Sequence, residues 1–491
     1  MNFFRPILLV NGLLLTTLGL AMLLPAVVDV AFMRIDETST SPDDWKVFVL
    51  SSAATMFVGI SLALANWGHK GDITVRQAFA LTTFSWISTV TFAALPFAFS
   101  ELELSFTDAF FESMSGLTTT GSTVITGLDD APKGLLLWRA LLQWLGGIGI
   151  IVMAIAILPM LQVGGMQLFR LESSDTSQKI QPRATQIAGS ITLLYVFLSF
   201  VCVAAYIIAD MDTFEAVAHA MTTIATGGFS TSDSSLAHFD SVTVEIICIT
   251  FMVIGSLPFV LFLQTIRGRP LSLVKDTQVQ WFVGTLVVLI LLLALYQVQS
   301  FDELTFAEAL RKSAFNVVSI LTGTGYATDD YMQWGTFAAI AFFCIMFIGG
   351  CAGSTTCGLK IFRFQVIFAA LKVQIRRMIH PHGVFFPRYN GQKIGEDVVS
   401  SVASYFFLFF ASFSVLAIGL SLLGLDTITA FSSAGTAIAN VGPGLGPEVG
   451  PASTFQDLPN AAKWLMSLGM LLGRLELFTV LVMLTPGFWR R

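Results

Sequence analysis

Charge is scarce in this 491-residue chain. Asp, Glu, Lys and Arg make up 12% of it against 55% hydrophobic residues, and the mean hydropathy is +0.77. So thin a polar coat excludes an ordinary soluble globule and implies a polytopic membrane protein. Cysteine is also sparse. Cys202, Cys248 and Cys344 sit inside apolar runs, while Cys351 and Cys357 form a Cys-x5-Cys pair with no partner pair elsewhere. That spacing supports neither a disulfide framework nor a zinc site. The five histidines are scattered, and HExxH, GxSxG and paired-carboxylate clusters are missing. An enzyme is therefore not expected, nor an organic cofactor or a nucleic-acid partner. The cysteines should serve packing and the histidines should lie at the surface.

What the chain does have is apolar runs near 20 residues, each long enough to cross a hydrocarbon core as helix. They predict spans at 6–33, 46–67, 76–99, 134–160, 186–210, 241–265, 278–299, 335–375, 396–424 and 461–486. The first run is too long for a secretory signal and is read as a span. Ten crossings put both termini on one side. Of the 26 Lys and Arg residues, 18 fall on that side, among them Lys70, Arg170, Lys179, Arg183, Lys360, Arg363, Arg376, Arg377 and Arg388. The termini are therefore expected in the cytoplasm. The opposite loops are acidic ("DETSTSPDD", "DMD", Asp129–Asp130, Asp329–Asp330), which would concentrate cations at that mouth.

Four segments between spans are too short and too polar to cross: "FESMSGLTTTGSTVITG", "VAHAMTTIATGGFSTSD", "AFNVVSILTGTGYATDD" and "AFSSAGTAIANVGPGLG". Each starts as a short helix, loses helix-forming character, and places a glycine in one column: Gly121, Gly228, Gly325 and Gly442, separated by 107, 97 and 117 residues. Recurrence at that interval implies one unit used four times, of span, half-helix, extended loop and span. The expected fold is an all-α polytopic membrane protein. Residues 1–70 would form two extra N-terminal helices, with four pore units at 71–170, 171–270, 271–390 and 391–491.

Non-helical backbone survives at membrane depth only where protein buries it or where it lines an aqueous path. Four such loops converging on one axis would offer carbonyl oxygens in place of a monovalent cation's hydration shell. Glycine suits this because turning successive carbonyls the same way requires positive φ at intervals. The C-terminal ends of the half-helices, each carrying about half a negative charge, would favour the cation as well. The competing reading is four re-entrant turns whose glycines only permit close helix packing.

These loops, with "TTTGST", "ATGGFST", "GTGYATDD" and "NVGPG", resemble over residues 70–490 the superfamily of potassium transporters that includes bacterial Trk and Ktr and the plant high-affinity transporters. The two extra N-terminal spans make the chain most similar to the Trk-type membrane subunits. The resemblance implies a potassium filter with ion-facing carbonyls from Thr119, Thr120 and Gly121; Thr226, Gly227 and Gly228; Gly323, Thr324 and Gly325; and Asn440, Val441 and Gly442. Plant relatives that prefer sodium carry serine at the first column position, so Gly121 implies potassium selectivity. Pro443 departs from the aromatic that follows the glycine in the second and third loops, and four-fold symmetry is accordingly only approximate. The resemblance also implies a bacterial inner-membrane location, a homodimer, and control by a cytosolic nucleotide-binding (RCK-type) ring of the TrkA kind.

Two further features stand out. The run 335–375 is too long for one crossing and holds "FIGGCAGSTTCGLKIF". Its helix should unwind around Gly349, Gly350, Gly353, Ser354, Thr355, Thr356 and Gly358, as a gate below the filter or as a GxxxG-type packing contact. Its "GSTTCGLK" approaches a phosphate-binding loop, but Leu359 stands where lysine is needed. Arg474 lies in mid-span, which costs on the order of 3 kcal/mol unless it is paired. It should either pair for stability alone or hold the 349–358 loop shut. Arg139, near the start of its span, is expected to snorkel without a role. The basic segments 170–183 and 371–393 suit lipid headgroups. An ion-coupled secondary transporter of sodium or another small solute is the alternative function, although uncharged loops fit a bare ion better.

Overall fold

The computed structural model describes residues 3–33, 44–68, 73–156, 164–165 and 180–490. Segment 170–179, Lys70 and most of "DETSTSPDD" lie outside them, as do the expected roles of those charges. Among the described residues seven helices are long and apolar enough to cross a bilayer: Arg5–Phe32, Asp44–Ala65, Val75–Phe99, Lys133–Met153, Gln186–Ile208, Thr277–Ser300 and Glu396–Leu422. Their outer faces carry large apolar side chains at helical spacing, such as Leu193, Phe197, Phe200 and Ile208, or Val415, Ile418 and Leu422. Such a face suits hydrocarbon, not water. The described strands are a two-residue hairpin, Arg388–Tyr389 against Gln392–Lys393.

The first two spans pack on each other through small residues. A Cβ on Gly12 would lie 2.7 Å from the Gly59 carbonyl oxygen, and Ser52 Oγ donates to the Gly19 carbonyl at 2.6 Å. Backbones approach this closely only where side chains are absent. Asp29, buried within the first span, accepts the Gly134 amide at 2.5 Å and so fastens the pair to the start of helix Lys133–Ala156. A carboxylate there meets the positive end of the helix dipole.

Among the described residues three spans are broken, where only one break was expected. Helix Thr336–Ile345 stops and restarts at Ile361–Ile379, bracketing the glycine-rich stretch. The expected straight span 241–265 is instead Val242–Gly255 followed by Phe259–Ile266, bent by 92°. Pro258 accounts for it, since proline lacks an amide hydrogen and expels the preceding residue from helical geometry. The expected span 461–486 is Asn460–Arg474 followed by Phe478–Leu484, bent by 107°. Its corner holds Glu476 and Leu477 at φ of +59° and +23°, a conformation that side-chain sterics disfavour. No proline or glycine marks positions 475–477.

The breaks satisfy one another. The Gly255 carbonyl accepts the Thr355 amide at 3.1 Å and its hydroxyl at 2.9 Å, the Ser256 carbonyl accepts the Cys351 amide at 3.1 Å, and the Phe259 amide donates to the Gly353 carbonyl at 3.0 Å. Polar backbone released by one interruption is thus paired with another, which permits both at membrane depth.

Candidate functional site

Four short helices end at the column glycines: Phe106–Leu117, Thr213–Ile224, Phe306–Leu321 and Thr427–Ala439. Ser105, Asp212, Thr305 and Asp426 cap their N-termini through side-chain oxygens, the residue types that best satisfy the free amides there. The opposite ends repeat as well. The amides of Thr120, Gly227, Thr324 and Val441 reach back to the carbonyls of Ser115, Thr222, Ser319 and Thr436 at 2.8, 2.9, 2.9 and 3.1 Å. These are the six-to-one bonds of a Schellman stop, which require a left-handed residue just before them. That residue is Thr119, Thr226, Gly323 or Asn440, with φ of +51°, +50°, +70° and +53°. Two residues on, Gly121, Gly228, Gly325 and Gly442 are left-handed again, at +91°, +80°, +84° and +109°. Alternation of this kind is the backbone pattern by which consecutive carbonyls can turn toward one side.

The loops close a cycle. A Cβ built on Gly121 would strike the Gly227 carbonyl oxygen, on Gly228 that of Thr324, and on Gly325 that of Val441. On Gly442 it would lie 2.8 Å from the Thr120 oxygen. Each column glycine therefore abuts the residue preceding the next column glycine, in the order first, second, third, fourth, first. Lys463 and Asp108 at 2.6 Å, and the Phe455 amide on the Thr123 carbonyl at 2.8 Å, add to the closure between the last and first quarters.

Of the twelve predicted residues, ten have carbonyls with no hydrogen-bond donor among the described residues. The Gly227 carbonyl accepts Gln143 Nε2 at 2.6 Å and the Gly442 carbonyl accepts Ser122 Oγ at 2.7 Å. Gln143, fully buried, also accepts the Phe229 amide at 3.0 Å and so clamps the second loop. Tyr326 ties the third loop to the second half-helix through Thr222 Oγ1, and Asn440 ties the fourth to the first through Thr120 Oγ1 at 2.9 Å.

Arg139 does not snorkel: it is 1% exposed and donates to Glu112 at 2.9 Å, to the Ser230 carbonyl at 2.7 Å and to Thr123 Oγ1 at 3.2 Å. Glu112, in the first half-helix, also accepts the Val124 amide at 2.9 Å. One buried pair thus braces two loops. His219 is likewise buried, bonded to the Glu215 carbonyl at 2.9 Å and Ser230 Oγ at 3.0 Å. Asp329 does not simply face water; it pairs with Lys312 at 2.7 Å and accepts Trp334 Nε1 at 3.2 Å. An Arg and a Glu 27 residues apart in two apolar segments were the available signal for the first pair.

Beneath the loops lies the 349–358 stretch. Thr226 Oγ1 donates to Thr355 Oγ1 at 3.1 Å, and a Cβ on Gly323 would be 3.9 Å from the Cys357 nitrogen. The stretch is anchored to itself by the Gly349 amide on the Leu359 carbonyl and the Ile361 amide on the Gly350 carbonyl, at 2.9 and 3.1 Å. Gly353 and Gly358 are left-handed, Ser354 Oγ and Thr356 Oγ1 are 2.8 Å apart, and Gly350 packs on Thr356.

Arg474 sits at the corner of the last broken span, not in mid-helix. Its Nη1 donates to the Thr355 carbonyl at 3.3 Å and to Cys357 Sγ at 2.6 Å, and its Nη2 donates to the Gly146 carbonyl at 2.9 Å. Cys357 is therefore more than packing. Lys360 and Arg363 are not loop charges: both are buried, Lys360 on the Thr356 carbonyl and Arg363 on Glu476 and, at 3.1 Å, on the Gly164 carbonyl. Lys360, Arg474 and Glu476 line a water-sized space of about 20 Å³ beside Gly353, Ser354 and Gly358.

The family profile described as TrkH, cation transport protein, matches residues 45–489. The chain is 46% identical over 488 residues to the Trk system potassium uptake protein TrkI of Halomonas elongata, covering 99% of this chain and 97% of that protein. It is 38% identical over 495 residues to the Trk system potassium uptake protein TrkH of Escherichia coli K12, covering 99% of both. The crystal structure of the potassium transporter TrkH from Vibrio parahaemolyticus matches with a TM-score of 0.90 at 35% identity, over 99% of this chain and all of that one.

Proposed function

The chain belongs to the TrkH family of cation transport proteins, and from that premise we propose that it mediates potassium uptake across a bacterial inner membrane through the cycle of four loops. It is a multi-pass membrane transport protein, not an enzyme. The observation that carries the filter reading is the closed succession of contacts, Gly121 on Gly227, Gly228 on Thr324, Gly325 on Val441 and Gly442 on Thr120. Unengaged carbonyls turned to one side by alternating left-handed residues are what a dehydrated monovalent cation needs. The partial negative ends of four half-helices lower the cost of bringing it there.

In this reading the pairs that hold the loops, Arg139–Glu112 and Gln143 with Gly227 and Phe229, set the diameter of the ring. They keep carbonyls from collapsing onto a smaller ion. The 349–358 stretch closes the path on the inner side. Arg474 holds it there through Thr355 and Cys357 and places a positive charge in the way of a cation. Opening requires those bonds to part, under control of a cytosolic nucleotide-binding ring that acts on a homodimer of this chain. The basic side of the chain, with both termini, faces that ring.

The test is flux in proteoliposomes with potassium, rubidium, sodium and lithium. Potassium and rubidium should pass and lithium should not. Equal flux of all four would remove the filter assignment while leaving the fold untouched.

A further inference from the structure

Beside the hairpin at Arg388–Tyr389 lies a groove of about 750 Å³ between helix Ile361–Ile379 and the start of helix Thr277–Ser300. Phe368, Lys372 and Arg376 follow one another at four-residue spacing along one face of the first helix, and Trp281 lies one turn into the second. The Trp281 and Phe368 rings are 5.7 Å apart. Both are about half exposed, as is Ile375, at 43%, 54% and 49%. Arg388 reaches the groove from the hairpin.

Five cations lie between residues 371 and 393. Two have protein partners: Arg377 donates to the Phe385 carbonyl at 3.1 Å, and the Lys393 ammonium stands 3.2 Å above the Phe386 ring. The other three, Lys372, Arg376 and Arg388, have none among the described residues, and all three line the groove, which contains no carboxylate. Asp276, next to the lining residue Thr277, is engaged as the cap of helix Thr277–Ser300, bonded to the Gln278 amide at 2.9 Å. Glu396 and Asp397, which follow the hairpin, lie in the first turn of helix Glu396–Leu422 and do not line the groove. Arg376 near a helix C-terminus offsets the dipole there, but Arg388 is on a strand, and that reason does not extend to it.

We propose that this groove binds an anionic phospholipid, its phosphate among Lys372, Arg376 and Arg388 and an acyl chain along Trp281, Phe368 and Ile375. The apolar wall separates this ligand from a soluble phosphate, which would need only the cations. Trp281 sits where tryptophan concentrates in spanning helices, at the level of the headgroups. Basic pockets between spanning helices recognise such headgroups through charge, and an aliphatic or aromatic floor holds the chain. The proposal rests on the bilayer placement of the chain, but not on the filter or the gate.

The full chain, purified in detergent, would be examined by native mass spectrometry with added dioleoylphosphatidylglycerol, dioleoylphosphatidylcholine or inorganic phosphate. Three unpaired cations should favour the anionic lipid over the neutral one on the order of 100-fold. The Lys372→Gln/Arg376→Gln/Arg388→Gln variant should lose that preference with its melting temperature unchanged. Arg388→Gln alone, which spares both helices, should lose roughly fivefold and covers the case in which the triple variant fails to fold. Equal retention of both lipids, unchanged binding in the variants, or displacement by millimolar inorganic phosphate would each overturn the assignment. So would a dimer or regulatory ring that buries the groove without lipid. Retention is read without transport, so failure of the potassium flux assay leaves this result standing, and the reverse holds as well.

Discussion

Replacing Arg474 with alanine should open the path. Its guanidinium makes two bonds to the 349–358 stretch, to the Thr355 carbonyl and to Cys357 Sγ, and one to the Gly146 carbonyl on a neighbouring span. A bond to a charged donor contributes about 1.5 kcal/mol net at the low end. Losing the two that reach the stretch removes about 3 kcal/mol from the closed arrangement, a roughly 150-fold shift toward the open one if opening breaks both. In the proposed function the arginine's charge also stands in the cation's way, so removing it acts in the same direction. Rubidium uptake into proteoliposomes, normalised to inserted protein, is the measurement. A rise of one to two orders of magnitude is expected for Arg474→Ala, and about tenfold for Cys357→Ala, which removes one bond. Arg474→Lys keeps the charge but not the planar fork that spans Thr355, Cys357 and Gly146 together, so its flux should fall between. Wild-type flux from a folded, inserted Arg474→Ala protein would show that this arginine only stabilises the bend.

Other outcomes follow from the same geometry. Glu112→Gln leaves Arg139 buried with an uncompensated charge, and should cost about 3–5 kcal/mol, read as a lower melting temperature and weaker discrimination of potassium from sodium. Gly228→Ala places a methyl group against the Thr324 carbonyl at a φ of +80°, so potassium selectivity should be lost while the protein still inserts; unchanged selectivity would move the ion elsewhere. Thr119→Gly relieves a β-branched residue held at +51°, worth on the order of 1 kcal/mol, and should raise thermal stability without lowering flux. Asp426, outside the spans, has its carboxyl held below the usual aspartate range by the Thr429 side chain and by the amides it caps. A depressed value means its contribution is present above the unfolded pKa and fades as pH falls through the folded one. The stability difference between the wild type and Asp426→Asn should therefore shrink on acidification into and below the ordinary aspartate range.

Much of this molecule is written in its amino-acid order. Membrane location follows from composition, and most spans follow from apolar length. The four half-helices and their column glycines follow from a pattern recurring at intervals of 107, 97 and 117 residues. The break near Gly349 is visible because glycine and small hydroxyl residues cluster there. These features are local or repetitive, and local physics, such as helix propensity and the positive φ of glycine, suffices to read them.

Other features belong to the folded chain alone. The bend at Pro258 had a sequence signal, but the one at 475–477 did not, because the φ values of Glu476 and Leu477 are imposed by what surrounds them. Arg139 looked like a membrane-edge charge, and Lys360 and Arg363 like cytoplasmic-side ones. Arg139 and Arg363 are buried against Glu112 and Glu476, far away in the chain, while Lys360 is buried on the carbonyl of Thr356, one turn before it. Thr119, Thr226 and Asn440 adopt the left-handed turn that Gly323 alone suggested. The order in which the four loops meet rests on backbone carbonyls facing backbone glycines, three times from one loop to the next in the chain and once from the fourth back to the first. Backbone atoms are common to all residues and leave no mark in the residue string, so only tertiary packing decided which carbonyl faces which glycine.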